Sequence, residues 1–176
     1  MDFADKNLTF ILLAFTLCSS CFAQTTLKDG RYQLDGKVFK VTKSTYLDKT
    51  SFSVSVIGRY WDKPSPSPKN PNGLPINKKD IHFDIDNTKV IVNDVLAVNS
   101  KKLALNKDRI DMSFTFLQED GSIEHITYFF NGNTIISLKD IAKIDMELKK
   151  KIKATFSGEE YKNFYLIPFG MVSVIY

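Results

Sequence analysis

An apolar run near the N-terminus decides which part of this chain can fold as a globular domain. The run extends from Leu8 to Leu17 and contains no charged side chain. It is too short to cross a bilayer, which takes roughly 20 residues of helix, and its length is typical of a signal peptide. Small residues such as Cys21 and Ala23 are expected just before a signal-peptidase cut. We therefore predict a signal peptide at residues 1–23 and a single folded domain at residues 24–176.

Two alternatives to simple cleavage remain open for this segment. The run could form a buried N-terminal helix, because Asp2 and Asp5 offset the charge of Lys6 where a signal peptide is usually cationic. Cleavage before Cys21 would instead leave an acylated cysteine that anchors the protein to a membrane. The sequence thus predicts an exported protein, periplasmic or extracellular, with a lipid anchor at Cys21 as the less favoured form.

Removal of the signal peptide would also remove the chemistry of cysteine. Cys18 and Cys21 are the two cysteines of the chain, and both precede the expected cut. The remaining domain would have no thiol for a disulfide, a nucleophile or a metal ligand. The histidines are His82 and His125, too few to indicate a zinc site. We therefore expect no cofactor.

The basic excess is too small to indicate a nucleic-acid partner. The chain carries 24 basic and 20 acidic side chains, a formal net charge of +4. Its densest basic run, at residues 149–153, falls at the end of a predicted helix, where cations interact favourably with the helix dipole. No aromatic side chain is interleaved with these lysines, as it would be in a single-strand binder. We expect no nucleic-acid partner and no transmembrane segment in the mature chain.

Alternating polar and apolar residues predict several strands. The clearest pair spans residues 109–117 and 122–130, with a turn at 118–121 in which Gly121 can adopt a positive φ. Residues 37–41 and 51–61 alternate in the same way, around a turn at 47–50. Shorter strand-like runs follow at 80–86, 89–92, 95–98, 163–167 and 171–176, and residues 99–107 fit either a strand or a helical turn.

One long helix is predicted from Ser137 to about Lys153. Ser137 can cap the helix, and Asp140 three residues later completes a capping-box arrangement. Apolar residues recur at helical spacing, at positions 138, 141, 144, 148 and 152. The predicted fold class is therefore α+β, with a single antiparallel sheet of about six strands and one main helix, at about 137–153, packed on one face.

A proline-rich loop at residues 62–79 lies inside the predicted domain and holds five of the six prolines. Proline lacks an amide donor, so this segment can form neither a helix nor an inner strand. So long a connection is either functional or an inert excursion between strands. The functional interpretation is a binding lip of aromatic and proline side chains, which protein interfaces favour. Its candidate partner-binding residues are Arg59, Tyr60, Trp61, Pro64, Pro66 and Pro68.

Asp80, His82, Asp84 and Asp86 occupy alternate positions in the sequence. A strand would place these side chains on one solvated face, which is the simpler interpretation of the pattern. The alternative is a divalent metal site at the end of that strand, because such cations prefer oxygen ligands. Its candidate ligands are Asp84, Asp86 and Asn87.

The section from Gly121 to the C-terminus resembles small exported proteins of unknown function from Gram-negative bacteria. In that pattern a strand opened by glycine leads into a helix rich in acids and lysines and then back to a strand. The same outline is similar to the β-α-β core of TonB C-terminal domains. The resemblance carries over no catalytic residue. It implies a protein-binding use of the fold.

The sequence favours a non-enzymatic domain that binds another protein, because it contains no coherent catalytic set. An immunity or inhibitor protein against a delivered toxin would be one such domain. Two other functions remain open: an envelope glycan hydrolase that uses the acids near residues 80–86, and a carrier of a small ligand or lipid.

Overall fold

The structure is a computed structural model that describes residues 27–58, 78–158, 161–162 and 164–176. Helices and strands are numbered in chain order. The elements are β1 (Gly30–Leu34), β2 (Lys37–Tyr46), β3 (Lys49–Val56), a 3-10 helix (Lys78–Asp80), β4 (Ile81–His82), α1 (Ile85–Leu96), a second 3-10 helix (Ala97–Asn99), α2 (Ser100–Asn106), β5 (Arg109–Leu117), β6 (Ile123–Asn131), α3 (Leu138–Lys151), β7 (Thr155–Phe156) and β8 (Leu166–Ile175).

A six-stranded sheet in the order β1-β2-β3-β6-β5-β8 forms the body of the fold, and every neighbouring pair is antiparallel. Two-residue turns join β1 to β2 and β2 to β3. Their central residues are Asp35 and Gly36 in the first turn and Leu47 and Asp48 in the second, all with positive φ, which is the hairpin geometry that matches strand twist. The predicted α+β class with a six-stranded antiparallel sheet is confirmed.

The predicted hairpin of β5 and β6 lies in the sheet and supplies much of the core. Ile110, Met112, Phe114 and Phe116 alternate along β5 and are fully buried, while the residues between them are half-buried or exposed. Gly121, in the turn, has a φ of +69° and lies against the backbone of Ala154. One face of the sheet therefore packs against the helices, and on the other face β5 carries the polar residues Asp111, Ser113 and Thr115.

The predicted main helix is confirmed as α3. Ser137 accepts a hydrogen bond from the Asp140 backbone, and the Asp140 side chain accepts one from the Ser137 backbone, which completes the capping box. The face that contains Ile141, Ile144 and Leu148 is buried. Through this face α3 packs against α1 and β6.

The strands predicted at residues 80–86, 89–92 and 95–98 are wrong, apart from the two residues of β4. The chain forms α1 there, with Asp84 as its N-cap, and the ambiguous segment that follows forms α2. Thr88, Ile91, Val92 and Leu96 of α1 are buried at helical spacing against α3 and β8. Packing on this face outweighs the strand preference of the β-branched residues in the segment.

The C-terminal residues form one strand, β8, and not two strands separated by Pro168-Phe169-Gly170. A bulge at Gly170 lets the strand continue: Phe169 pairs with Phe114 and Met171 pairs with Ser113. Pro168 fits because β8 is an edge strand, where an amide donor on the outer side is not required.

None of the helices in the described part of the chain is long and apolar enough to cross a membrane.

Candidate functional site

The predicted partner-binding residues Arg59, Tyr60, Trp61, Pro64, Pro66 and Pro68 lie outside the described residues, so their role remains a prediction. The chain enters that segment from Gly58, close to β6. A Cβ built on Gly58 would lie 3.2 Å from Oε1 of Glu124.

The predicted metal ligands lie at the start of α1 and not at the end of a strand. Asp84 Oδ1 accepts a hydrogen bond of 2.8 Å from the backbone N–H of Asn87. This is the hydrogen bond that an N-cap side chain usually makes. Asp86 is exposed in the first turn, 3.9 Å from Lys89. In the part of the chain that the structure describes, no group of three His, Cys, Asp or Glu side chains is placed to hold a metal ion. The metal site remains a prediction without support from this geometry.

The acids at residues 80–86 do not share a strand face, because the chain turns from a 3-10 helix through β4 into α1 within this segment. His82 is bonded to the Ser157 hydroxyl at 3.0 Å. Phe83 packs among Phe114, Phe116 and Phe169, with ring centroids 4.8 to 5.4 Å apart. The glycan-hydrolase alternative therefore loses the arrangement of acids on which it was based.

A buried charge lies between α3 and the start of β2. Asp145 is fully buried, and its two carboxylate oxygens are 2.9 Å from Lys37 Nζ and 3.3 Å from Lys149 Nζ. Both lysines keep part of their side chains in solvent. The arrangement compensates the buried carboxylate from two sides and fixes α3 to the first hairpin.

A line of polar side chains connects β3 to β6. The Thr127 hydroxyl lies 3.1 Å from Ser55 Oγ and 2.9 Å from His125 Nε2. Burial lowers the pKa of His125, and the charge of Lys149 lowers it further. The imidazole is therefore neutral at neutral pH, and the hydroxyls and the ring form a cross-strand bridge.

In the part of the chain that the structure describes, no strand pairs with the outer edge of β8 along its second half. The backbone N–H of Tyr176 donates to the Asp108 carbonyl, so Tyr176, Val174 and Val172 point their amides inward to β5. Met171, Ser173 and Ile175 then point theirs outward, away from the sheet. Among the described elements, β8 has β5 as its strand neighbour in the sheet and nothing paired on its other side.

The side chains along this free edge are apolar except at the centre. Met171 is 63% exposed and Ile175 is 71% exposed, on the face away from the helices. Between them, the Ser173 hydroxyl donates to Asp111, and Asp111 is held by Arg109 at 2.8 Å. The edge thus presents two apolar side chains on either side of a fixed polar group. We call residues 171–175 the free edge.

The free edge was not predicted from the sequence. Residues 166–175 contain no charged side chain, and apolar residues occupy positions 171, 172, 174 and 175 on both faces of the strand. Sheet edges usually carry charges that prevent pairing with other chains. The absence of charge and the presence of proline were the features of the sequence that could have indicated an edge strand open to pairing. The order of the strands in the sheet cannot be deduced from them.

Comparison with known proteins gives a fold and leaves the activity open. No family model matches the chain. Staphopain B of Staphylococcus aureus is 25% identical over 134 residues, which is 75% of this chain and 34% of that protein, and Staphopain B of strain MRSA252 gives the same values. The chain therefore spans about a third of the length of the curated relatives it matches.

A solved structure has the same fold. It is a DUF5043 family protein from Bacteroides uniformis ATCC 8492, with a TM-score of 0.62, 10% sequence identity and coverage of 86% of both chains. The neighbour is thus an uncharacterised Gram-negative protein, the kind that the sequence pattern resembles. The likeness to TonB C-terminal domains is not confirmed.

Proposed function

We propose that this chain is a non-enzymatic domain that binds another protein outside the cytoplasm, by pairing its free edge with an extended segment of that protein. An added strand would bond to the outward amides and carbonyls of Met171, Ser173 and Ile175, with which no described strand pairs. The exposed Met171 and Ile175 side chains would contact the partner's alternate residues. The free edge is the observation that carries the proposal.

The two edges of the sheet differ in a way that favours β8. The other edge, β1, is five residues long and exposes Arg31 and Gln33. Beside it, Asp29 accepts a hydrogen bond from the backbone of Lys43. In contrast, β8 is ten residues long and uncharged. Its proline hinders pairing with another strand in the first half of β8 alone.

The compartment and the partner are further parts of the proposal. The apolar run at residues 8–17 supports export, with cleavage after residue 23 or an anchor at Cys21. An immunity or inhibitor protein is one form that such a domain could take, because strand pairing needs no catalytic group. The match to a third of Staphopain B is consistent with a module that accompanies larger proteins.

The test uses displayed linear peptides, because they can supply an added strand without a known partner. Peptides selected against the wild-type protein are titrated against Ser173→Pro and Ser173→Ala. Proline removes the outward N–H at the centre of the free edge and spares the ladder to β5, whereas alanine keeps that N–H and removes the hydroxyl. We expect Ser173→Pro to weaken binding about tenfold or more, and Ser173→Ala to weaken it much less.

Hydrogen exchange identifies the surface that is bound. Peptide binding should slow exchange at the amides of residues 171, 173 and 175, while those of 172 and 174 are already protected in the free protein. Leu47→Lys replaces an exposed apolar residue in the turn between β2 and β3, at the other side of the sheet from β8, and should leave binding unchanged. Equal binding by Ser173→Pro, recovery of no peptides, or dimerisation of the protein through β8 would each overturn the proposal.

A further inference from the structure

A cavity of about 240 Å³ opens between β1, β2 and the first turn of α3. Its lining includes the apolar residues Leu27, Leu34, Val41 and Leu138, together with Tyr32 and Gln33. Leu27 and Val41 belong to the buried core, whereas Leu34 and Leu138 are partly exposed. The cavity therefore leads from solvent to the core and has an apolar interior.

The size of the cavity restricts what it could hold. At about 30 Å³ for each water-sized group, it has room for about eight non-hydrogen atoms. Most sites for whole cofactors and drug-sized ligands are larger, at roughly 300–1,000 Å³. A short alkyl chain fits this space, and a complete membrane lipid does not.

The positive charge of the lining favours a ligand whose polar end is negatively charged. Lys28 and Lys139 both contribute to the cavity, and no Asp or Glu is among its described lining residues. A carboxylate next to these ammonium groups would gain charge-assisted hydrogen bonds, whereas an amine on the same chain would be repelled. We infer that this cavity binds a short-chain to medium-chain fatty acid, with its alkyl chain on the leucine and valine wall and its carboxylate at the two lysines.

The inference is independent of the free edge, because the cavity lies at β1 and β2 while the free edge lies on β8, at the opposite side of the sheet. A failure of peptide binding would not contradict the fatty-acid site. Likewise, a failure of fatty-acid binding would not contradict the proposal for the free edge.

Isothermal titration of the full domain with octanoate tests the site. Octylamine has the same chain length and the opposite charge, and acetate has the same charge without the chain. We expect octanoate to bind at least about tenfold more tightly than either control compound. NMR of the methyl groups should confine the shifts caused by octanoate to residues such as Leu27, Leu34, Val41 and Leu138.

Two kinds of variant separate the charge from the cavity. Lys28→Gln combined with Lys139→Gln should weaken octanoate binding about tenfold or more. Lys139 lies in the first turn of α3, so circular dichroism of the double variant should first verify that the helix is retained. Leu138→Trp fills the cavity and should abolish binding, while Lys101→Gln with Lys102→Gln, on α2, should have no effect.

Several outcomes would overturn the inference. Octylamine could bind as tightly as octanoate, the lysine variants could bind octanoate as the wild type does, or the methyl shifts could fall elsewhere. The absence of any heat or shift with octanoate would do the same. Leu138→Trp can fail to fold, and the lysine variants then carry the decision, because both lysines are outside the buried core.

Discussion

Tyr128 and Tyr176 carry hydroxyl groups that are buried without a hydrogen-bond partner in the described protein. Burial raises the pKa of Tyr128 well above its ordinary value, and the charge of Asp145 adds to this effect. Burial and the charge of Asp108 raise the pKa of Tyr176 to about 12. Because each folded pKa lies above the unfolded one, the stability that these groups contribute is complete below about pH 10 and is lost as the pH rises through the folded pKa values.

Replacing Tyr128 with Phe tests this dependence. The variant keeps the ring that stacks on Phe130 at 6.5 Å and removes a hydroxyl whose burial without a partner costs about 1–3 kcal/mol. We expect the free energy of unfolding to be unchanged or higher at neutral pH and to fall less steeply above about pH 10. Urea unfolding across this pH range measures both effects. Tyr46→Phe, at an exposed site, should change neither, and a marked loss of stability at neutral pH would contradict the prediction.

The burial of individual side chains could be predicted only in part from the sequence. The pattern placed Ile141, Ile144 and Leu148 correctly on the buried face of α3. It did not indicate that Asp145 is buried, because a charged side chain is normally outside the core. Asp145 is buried because Lys37 approaches it from β2, more than a hundred residues earlier in the chain. Such a contact depends on tertiary structure and leaves no local signal.

At the scale of the elements, Gly121 and Gly36 both occupy turns with positive φ but differ in their surroundings. A Cβ on Gly121 would lie 1.8 Å from the Ala154 carbonyl oxygen, whereas a Cβ on Gly36 would meet nothing within 4 Å. We expect Gly36→Ala to cost about 1 kcal/mol, which is the strain of the backbone alone. Gly121→Ala should cost about 2–4 kcal/mol, because the segment after α3 must also move.

Chemical denaturation of the two glycine variants gives the comparison. Equal costs would mean that the approach of Ala154 to the β5–β6 turn does not contribute to stability. A larger loss of stability in Gly36→Ala than in Gly121→Ala would contradict the close contact between Gly121 and Ala154.

The elements that sequence analysis found are those whose evidence is local. The capping box and helical spacing of α3, and the alternation and glycine turn of β5 and β6, lie within each segment. The sequence missed α1 because Asp84, its N-cap, also fits an alternation of acids that extends back to Asp80. Its isoleucines and valines add a strand preference, and the packing against α3 that decides the matter is not local.

For the whole molecule, the position of each strand in the sheet could not be predicted. The last strand, β8, pairs with β5 and so becomes an edge, while β6 is inserted between β3 and β5. This order depends on contacts between distant parts of the chain, which periodicity does not report. The free edge and the cavity are both consequences of that order, so neither could be proposed before the structure.

A single hydrophobic cluster connects all layers of the molecule, from Leu27 before β1 to Val174 in β8, and includes Ile91 of α1 and Ile141 of α3. Unfolding should therefore be cooperative, with the helices and the sheet losing their structure together. We expect Val92→Ala, at a fully buried site of α1, to cost about 2 kcal/mol and to move the far-ultraviolet and near-ultraviolet circular dichroism transitions by the same amount. These signals report the backbone and the aromatic side chains, respectively, and most aromatic residues in the described part of the chain lie in the sheet.

Val90→Ala provides the matched control, because Val90 lies on the same helix with 53% of its surface exposed. It should leave both transitions in place, since little apolar surface is returned to water. If Val92→Ala moved the far-ultraviolet transition and left the aromatic one unchanged, α1 would unfold independently of the sheet. The helical layer would then be a separate cooperative unit, and the shared cluster would not determine the stability of the molecule.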